Sequence, residues 1–228
     1  DSEMDLSFSY WSMSKDANTV NLLNGSPSYV ELNFTGFSLM SEKGTVISVY
    51  MVPCPSFCMV TLDPSGNLLF KVFSSNLLTT VHQAPASNCD LPLYCGPLGL
   101  CSGGQCSCPG SLQEVNKQDI TQGCKAPSVG QCLSRNSSVM PQFQQISDNV
   151  DYFENNYVSP VNTSGLDQCQ EICWANCSCN FFFFNNVSSC YIFSKLGTLK
   201  SVTNSGAVLY ARSTIEDIPS SSLNEKEF

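Results

Sequence analysis

The first third of the chain alternates short apolar runs with clusters of turn-forming residues. Residues 7–11, 29–34, 37–40, 45–50, 59–62 and 68–73 are rich in β-branched and aromatic side chains, and several alternate apolar with polar positions. Asn24-Gly25-Ser26-Pro27, Lys43-Gly44 and Asp63-Pro64-Ser65-Gly66-Asn67 fall between them as turn signals. Short strands at this spacing predict an antiparallel sandwich, barrel or prism. Residues 76–88 read as a polar lead-in carrying Pro85.

The pattern then breaks. Between Cys89 and Cys124 the chain places six cysteines, at 89, 95, 101, 106, 108 and 124, with glycine or proline beside nearly every one. Apolar residues are too few there for a core, so the segment holds one shape only through covalent cross-links. A linker-like stretch follows at residues 125–130.

Periodicity returns after residue 132. Residues 141–146 and 150–153 read as strands. Residues 164–177 read as a short helix, with Ser164 or Asp167 available to cap it. Leu166, Cys169, Ile172, Cys173 and Asn176 share one face of that helix, so two cysteines one turn apart can staple it onto a sheet. Residues 181–184, 190–193 and 207–211 read as the strands of that sheet. Residues 214–228 lose the pattern and read as a flexible stalk.

Composition fixes the compartment. Fourteen cysteines among 228 residues are typical of oxidising surroundings. Asn-x-Ser/Thr signals at Asn24, Asn33, Asn136, Asn162, Asn176 and Asn186 agree with secretion. The net charge of −9, with ten scattered Lys and Arg, argues against nucleic acid or an anionic membrane as partner. No apolar run reaches the roughly 20 residues needed to span a bilayer, and a start at Asp1 without a leader reads as an excised ectodomain piece. A Cys/His nucleophile would need a free thiolate beside a base, yet the one histidine, His82, sits in a polar stretch and the cysteines are even in number. No metal is expected at the Cys54/Cys58 pair or at the closely spaced cysteines. The absence of a carboxylate just before Cys89 argues against calcium. No carboxylate pair stands out as glycosidase machinery.

Two cysteine patterns carry a resemblance. Cys95-Gly96-Pro97-Leu98-Gly99-Leu100-Cys101 followed by Cys106-Ser107-Cys108 resembles a plant EGF-like module. Cys169-x3-Cys173-x3-Cys177-x-Cys179, with Cys190 after it and Cys132 before, resembles a PAN/apple domain. Tyr10-Trp11-Ser12 and Leu62-Asp63-Pro64-Ser65-Gly66-Asn67-Leu68 resemble landmarks of the second lectin-like, or S-locus, region. In that order they are similar to the ectodomain of plant G-type lectin S-receptor-like serine/threonine-protein kinases, without the amino-terminal bulb-type lectin domain and without the kinase. The mannose motif of the bulb lectin is not intact, because Asp63 and Asn67 lie four apart rather than two.

The resemblance implies a mostly β, disulfide-rich, multi-domain chain: a β-rich lectin-like segment at 1–88, an EGF-like module at 89–124, a PAN/apple domain of one helix on an antiparallel sheet at 125–213, and a juxtamembrane stalk at 214–228. It implies the pairs Cys54–Cys58, Cys89–Cys101, Cys95–Cys106, Cys108–Cys124, Cys132–Cys177, Cys169–Cys190 and Cys173–Cys179. The knot then reads as a joint between the domains on either side. No catalytic residue and no cofactor are expected in this chain; the parent kinase would use ATP and Mg. The expected role is recognition of an extracellular ligand (protein, peptide, glycan or lipid) or a co-receptor, with homodimerisation through the PAN sheet around Phe182, Phe184 and Tyr191. The implied location is the outer face of the plasma membrane, with attachment through a helix beyond residue 228. The alternative is a secreted glycoprotein or lectin-like protein of the cell wall or apoplast, with no kinase.

Overall fold

The computed structural model describes residues 9–52, 54, 57–127, 142–185 and 188–213. The chain is mostly β and divides into two compact units, Ser9–Leu91 and the residues from Pro92 onward.

The first unit holds seven strands: β1 (Thr19–Asn21), β2 (Tyr29–Asn33), β3 (Gly36–Met40), β4 (Val46–Met51), β5 (Cys58–Leu62), β6 (Leu68–Ser74) and β7 (Leu77–Ala84). They form a four-stranded sheet in the order β1-β4-β3-β2 and a three-stranded sheet in the order β5-β6-β7. All neighbours are antiparallel. Tyr50, Val52, Phe70 and Ala84 are buried together, with Trp11, Met13, Phe37, Val60 and Leu68 packed against them. The ring centroids of Phe37 and Phe70 lie 5.1 Å apart, edge to face, which brings β3 against β6.

Five of the six strands predicted in this region form. The predicted strand at 7–11 falls partly outside the described residues, and residues 9–12 are not strand. Two strands were not anticipated, β1 and β7. The supposed lead-in at 76–88 supplies β7, eight residues long. Its threonines and Val81 are good strand formers, but its outward exposure leaves no apolar stripe to read.

Two sequence landmarks meet in this unit. The Tyr10 hydroxyl donates to the Gly66 carbonyl at 2.5 Å. Gly66 has φ +92°, and a Cβ there would stand 2.8 Å from that hydroxyl, so both backbone and space demand glycine. Asp63 builds the turn: its Oδ1 accepts from Ser65 N, Ser65 Oγ and Asn67 N at 2.9, 2.5 and 3.1 Å.

The second unit begins with a hairpin, β8 (Leu100–Ser102) and β9 (Gln105–Ser107). It continues through β10 (Gln142–Asp148), β11 (Val150–Tyr152), β12 (Val161–Asn162), α1 (Leu166–Ala175), β13 (Phe181–Asn185), β14 (Ser189–Phe193), β15 (Leu199–Ser201) and β16 (Ala207–Ser213). The main sheet runs β10-β16-β13-β14-β12 and is antiparallel throughout. A smaller sheet runs β11-β15-β8-β9.

That smaller sheet joins the cysteine knot to the segment resembling a PAN domain. β15 lies parallel to β8, with Leu199 opposite Leu100 and Lys200 opposite Cys101. The same run is bonded to the knot at four more points. Leu98 N donates to Gly197 O at 3.0 Å, Cys95 N to Thr198 Oγ1 at 2.8 Å, Thr198 N to Pro92 O at 2.7 Å and Leu199 N to Gly99 O at 2.7 Å. The knot, expected as a rigid joint between the domains on either side, belongs from Pro92 onward to one compact unit with the residues after it. The knot has little apolar surface of its own, and Leu196, Thr198 and Leu199, each at most 2% exposed, supply a buried seam against it.

Within the knot Cys95 bonds Cys106, and Cys108 bonds Cys124. Gly123 lets two backbones meet: a Cβ there would lie 2.3 Å from Pro97 O. On the main sheet Cys169 of α1 bonds Cys190 of β14, and Cys173 bonds Cys179 just before β13. Both helix cysteines are fully buried, as the helical face predicts. The amino end of α1 is capped differently from expectation. Gly165 is the cap residue, and neither Ser164 nor Asp167 caps it through its side chain. Instead the Gln168 side chain reaches back and accepts from Ser164 N at 2.7 Å. The carboxyl end is held by Arg212 of β16, whose Nη2 donates to the carbonyls of Cys173 and Asn176 at 2.5 and 3.1 Å. A cation at that end complements the helix dipole, although burial lowers the guanidinium's affinity for its proton.

Candidate functional site

The run Phe181 to Phe184 forms β13, a central strand of the main sheet. Alternation sends Phe182 and Phe184 toward α1, where they join Cys169, Cys173, Cys179 and Cys190. Phe182 also stacks on Tyr210 at 4.9 Å and meets Phe143 edge to face at 5.2 Å. Phe183 turns to the other face, with Tyr152 at 6.2 Å and Phe193 at 5.8 Å. Both faces of the strand are therefore covered.

This corrects the expected contact surface. Phe182 has no exposed surface, and Phe184 is partly covered in the same cluster. Tyr191 is paired with Phe183, so it belongs to the opposite face from Phe182 and Phe184. The three residues do not form one surface, because the antiparallel register between β13 and β14 separates them.

The other named residues are placed as follows. Cys54 is bonded to Cys58. Cys89, Cys101 and Cys177 are each in a disulfide, while Cys132 lies outside the described residues. Asn24, Asn162 and Asn176 are exposed. Asn33 is half-buried and committed to a turn, its Oδ1 accepting from Thr35 N and Oγ1 at 3.0 and 2.6 Å and its Nδ2 donating to Ser38 Oγ at 3.1 Å. Asn136 and Asn186 lie outside the described residues. Among the described residues no group of three His, Cys, Asp or Glu is arranged to hold a metal ion, and no helix is long and apolar enough to cross a membrane.

The sequence reading missed a polar cluster around His82. The Tyr50 hydroxyl lies 2.7 Å from His82 Nε2 and 3.2 Å from Asp16 Oδ2, and the Trp11 indole donates to the same carboxylate oxygen at 2.8 Å. Burial raises the Asp16 carboxyl, but the Asn18 N–H, the Trp11 and Asn18 side chains and the Tyr50 hydroxyl together hold it below the usual carboxylate range. With Tyr50 wholly buried, the cluster ties residues 11–16 to β4 and β7. In the second unit Glu154 is 5% exposed. Burial raises its carboxyl, opposed by a 3.4 Å hydrogen bond from the Tyr152 hydroxyl.

The exposed apolar side chains are distributed unequally. Among the described residues, fourteen of seventeen large exposed hydrophobics belong to Ser9–Leu91. They include Phe34 at 77%, Leu62 at 68% and Phe57 at 66%. The second unit exposes Leu93, Val115 and Val161. The first unit therefore leaves much more apolar side chain in contact with water than the second.

Comparison with known proteins gives this geometry a context. Residues 142–214 match the PAN domain family. The chain is 33% identical, over 191 residues and 78% of its length, to the Arabidopsis thaliana G-type lectin S-receptor-like serine/threonine-protein kinase At5g35370, of which it covers 21%. It is 35% identical over 132 residues, 55% of its length, to the kinase of that type SD2-5, covering 15% of it. It is also 25% identical over 199 residues to the PAN domain-containing protein At5g03700 of the same plant, covering 38% of that protein and 80% of this chain. The chain thus spans about a fifth of the length of the kinases it matches. It carries a PAN domain in its second unit and is a relative of the G-type lectin S-receptor-like serine/threonine-protein kinases.

Proposed function

We propose that this chain is the extracellular recognition region of a plant receptor-like serine/threonine kinase. It binds a protein ligand or co-receptor through the exposed apolar surface of Ser9–Leu91, while the second unit is stapled by its own disulfides. The chain itself performs no catalysis; the kinase, with ATP and Mg, lies elsewhere in the parent, which sits in the plasma membrane. The observation that carries this reading is the concentration of exposed hydrophobics in the first unit. Association through Phe182, Phe184 and Tyr191 is not retained, because those side chains lie on two faces and Phe182 is buried.

The test uses the labelled, purified chain and plasma-membrane vesicles from plant tissue. Saturable binding that is lost when the vesicles are treated with trypsin is expected. Phe34→Ser together with Leu62→Ser should weaken it at least tenfold, while Val115→Ser and Val161→Ser leave it unchanged. No saturable binding, or equal loss in both pairs, overturns the proposal.

A second reading has its own support. The relative At5g03700 is named for its PAN domain and not for a kinase, which fits a secreted cell-wall glycoprotein. The transcript beyond codon 228 separates the two. A run of about 20 apolar residues followed by basic ones supports the receptor; a stop codon without one supports secretion.

A further inference from the structure

Most strand edges among the described residues are short or guarded. β1, β9, β11 and β12 have two or three residues each. β2 carries Glu31 and the signal at Asn33, β5 adjoins the Cys54–Cys58 bridge, and β10 is rich in glutamine and ends in Asp148. β7 is the exception. It is eight residues long, lies at the edge of the order β5-β6-β7, and contains no charge, proline or glycine. Residues 77–81 are all exposed. Natural sheets protect such edges unless something pairs with them.

The register adds a direction. Phe73 of β6 stands opposite Leu78 of β7. On its other side Phe73 N donates to Phe57 O at 2.9 Å, continuing the β5–β6 ladder by one residue. Residues directly opposite one another share a face of a sheet. Phe57, Phe73 and Leu78 therefore form one apolar row across the outer face, 66%, 45% and 39% exposed, and the row runs up to the open edge.

We infer that β7 is a homotypic pairing edge, on which a second copy of this chain lays its own β7 antiparallel. A two-fold axis perpendicular to the sheet through Leu78 sets Leu78 against Leu78 of the second copy, and Leu77 against its Thr79. The three-stranded sheet becomes six-stranded, and the apolar row doubles to six side chains without a break. The irregularity between Phe70 and Lys71 leaves Val81 as an extra residue on β7, so regular pairing ends before it.

Charge favours a second copy as occupant. The chain carries a net −9, so contacts between charged parts of two copies are on average repulsive. From Leu68 to Cys89 the only Lys, Arg, Asp or Glu is Lys71. An uncharged strand can face itself without that repulsion. The inference rests on the reading that the first unit is a contact surface, and it names homodimerisation as one use of that surface.

Sedimentation of the full chain tests it. A concentration-dependent monomer–dimer equilibrium is expected. Leu78→Lys and Leu78→Glu should each weaken the dimer at least tenfold by placing like charges on the axis. Mixing the two variants should restore it as a heterodimer, an outcome that misfolded variants cannot give. A wild-type chain that stays monomeric at about 1 mM, a dimer indifferent to both substitutions, or an unrescued mixture overturns the inference. A monomeric chain that still binds vesicles leaves the recognition reading standing; a dimer that binds none does the reverse.

Discussion

The two units solve the problem of stability in opposite ways. The second buries its aromatic strand on both faces, staples α1 with two bridges, and leaves three large hydrophobics exposed among its described residues. The first has a sparser core centred on Tyr50 and Phe70, a local clip at Cys54–Cys58, and fourteen such side chains in water. Covalent closure compensates for the limited apolar burial around the knot in the second unit. The first unit keeps apolar side chains in contact with water, and the proposed recognition rests on them.

The largest effect that would test this contrast is reduction. Each bridge stabilises by about 2–4 kcal/mol, mainly through the unfolded chain. Full reduction should therefore unfold the second unit, while β3, β4 and β6 keep their hydrogen-exchange protection. Protection of β13 and β16 that survives reduction would break the contrast. Phe182→Ala comes next, at about 3–5 kcal/mol for a large buried ring, confined to the second unit. Phe34→Ala should stay within about 0.5 kcal/mol. Urea unfolding followed by unit-specific exchange separates the two.

Gly66→Ala should cost the first unit about 1–2 kcal/mol, because alanine is strained at positive φ and its Cβ meets the Tyr10 hydroxyl. The smallest effects are those of pH, and they differ in sign between the units. The Asp16 carboxyl is lowered in the folded state, so its contribution is present above the unfolded value near ~3.9 and is lost as pH falls through the folded value. Asp16→Asn should flatten the acid limb of the first unit. The Glu154 carboxyl is raised, so its effect on stability is most favourable below the unfolded value near ~4.3 and worsens as pH rises through the folded value. Glu154→Gln should raise the melting temperature of the second unit at pH 7 and change little at pH 3. A lowered melting temperature at pH 7 would show that the carboxylate is better accommodated than its burial implies.

Local signals in the sequence located most elements. Leu166, Cys169 and Cys173 placed the buried face of α1, and the alternation at 29–40 placed β2 and β3. Features set by register or by distant packing were not legible. Phe182 and Tyr191 looked like neighbours on one surface, but their faces depend on which residue of β14 stands opposite Phe183. β7 looked like a polar lead-in because an exposed edge strand needs no apolar stripe. The seam at residues 196–199 has no periodicity to announce it; its burial comes from the knot, about a hundred residues earlier. Gln168 reaches back to Ser164 N because the cap position is held by Gly165, which has no side chain to cap with.

That seam has a mechanical consequence. Among the described residues the last strand of the second unit is β16, which lies between β10 and β13 and is bonded to both. A pull along the chain at Ser213 loads these ladders in shear, so many hydrogen bonds must yield together rather than one by one. Load that passes from them into β15 meets the parallel β8, already anchored by Cys101 in a disulfide. Among the described residues the knot and the strands after it are bonded directly through β8 and β15, so a tug or twist that reaches β15 is passed to the knot.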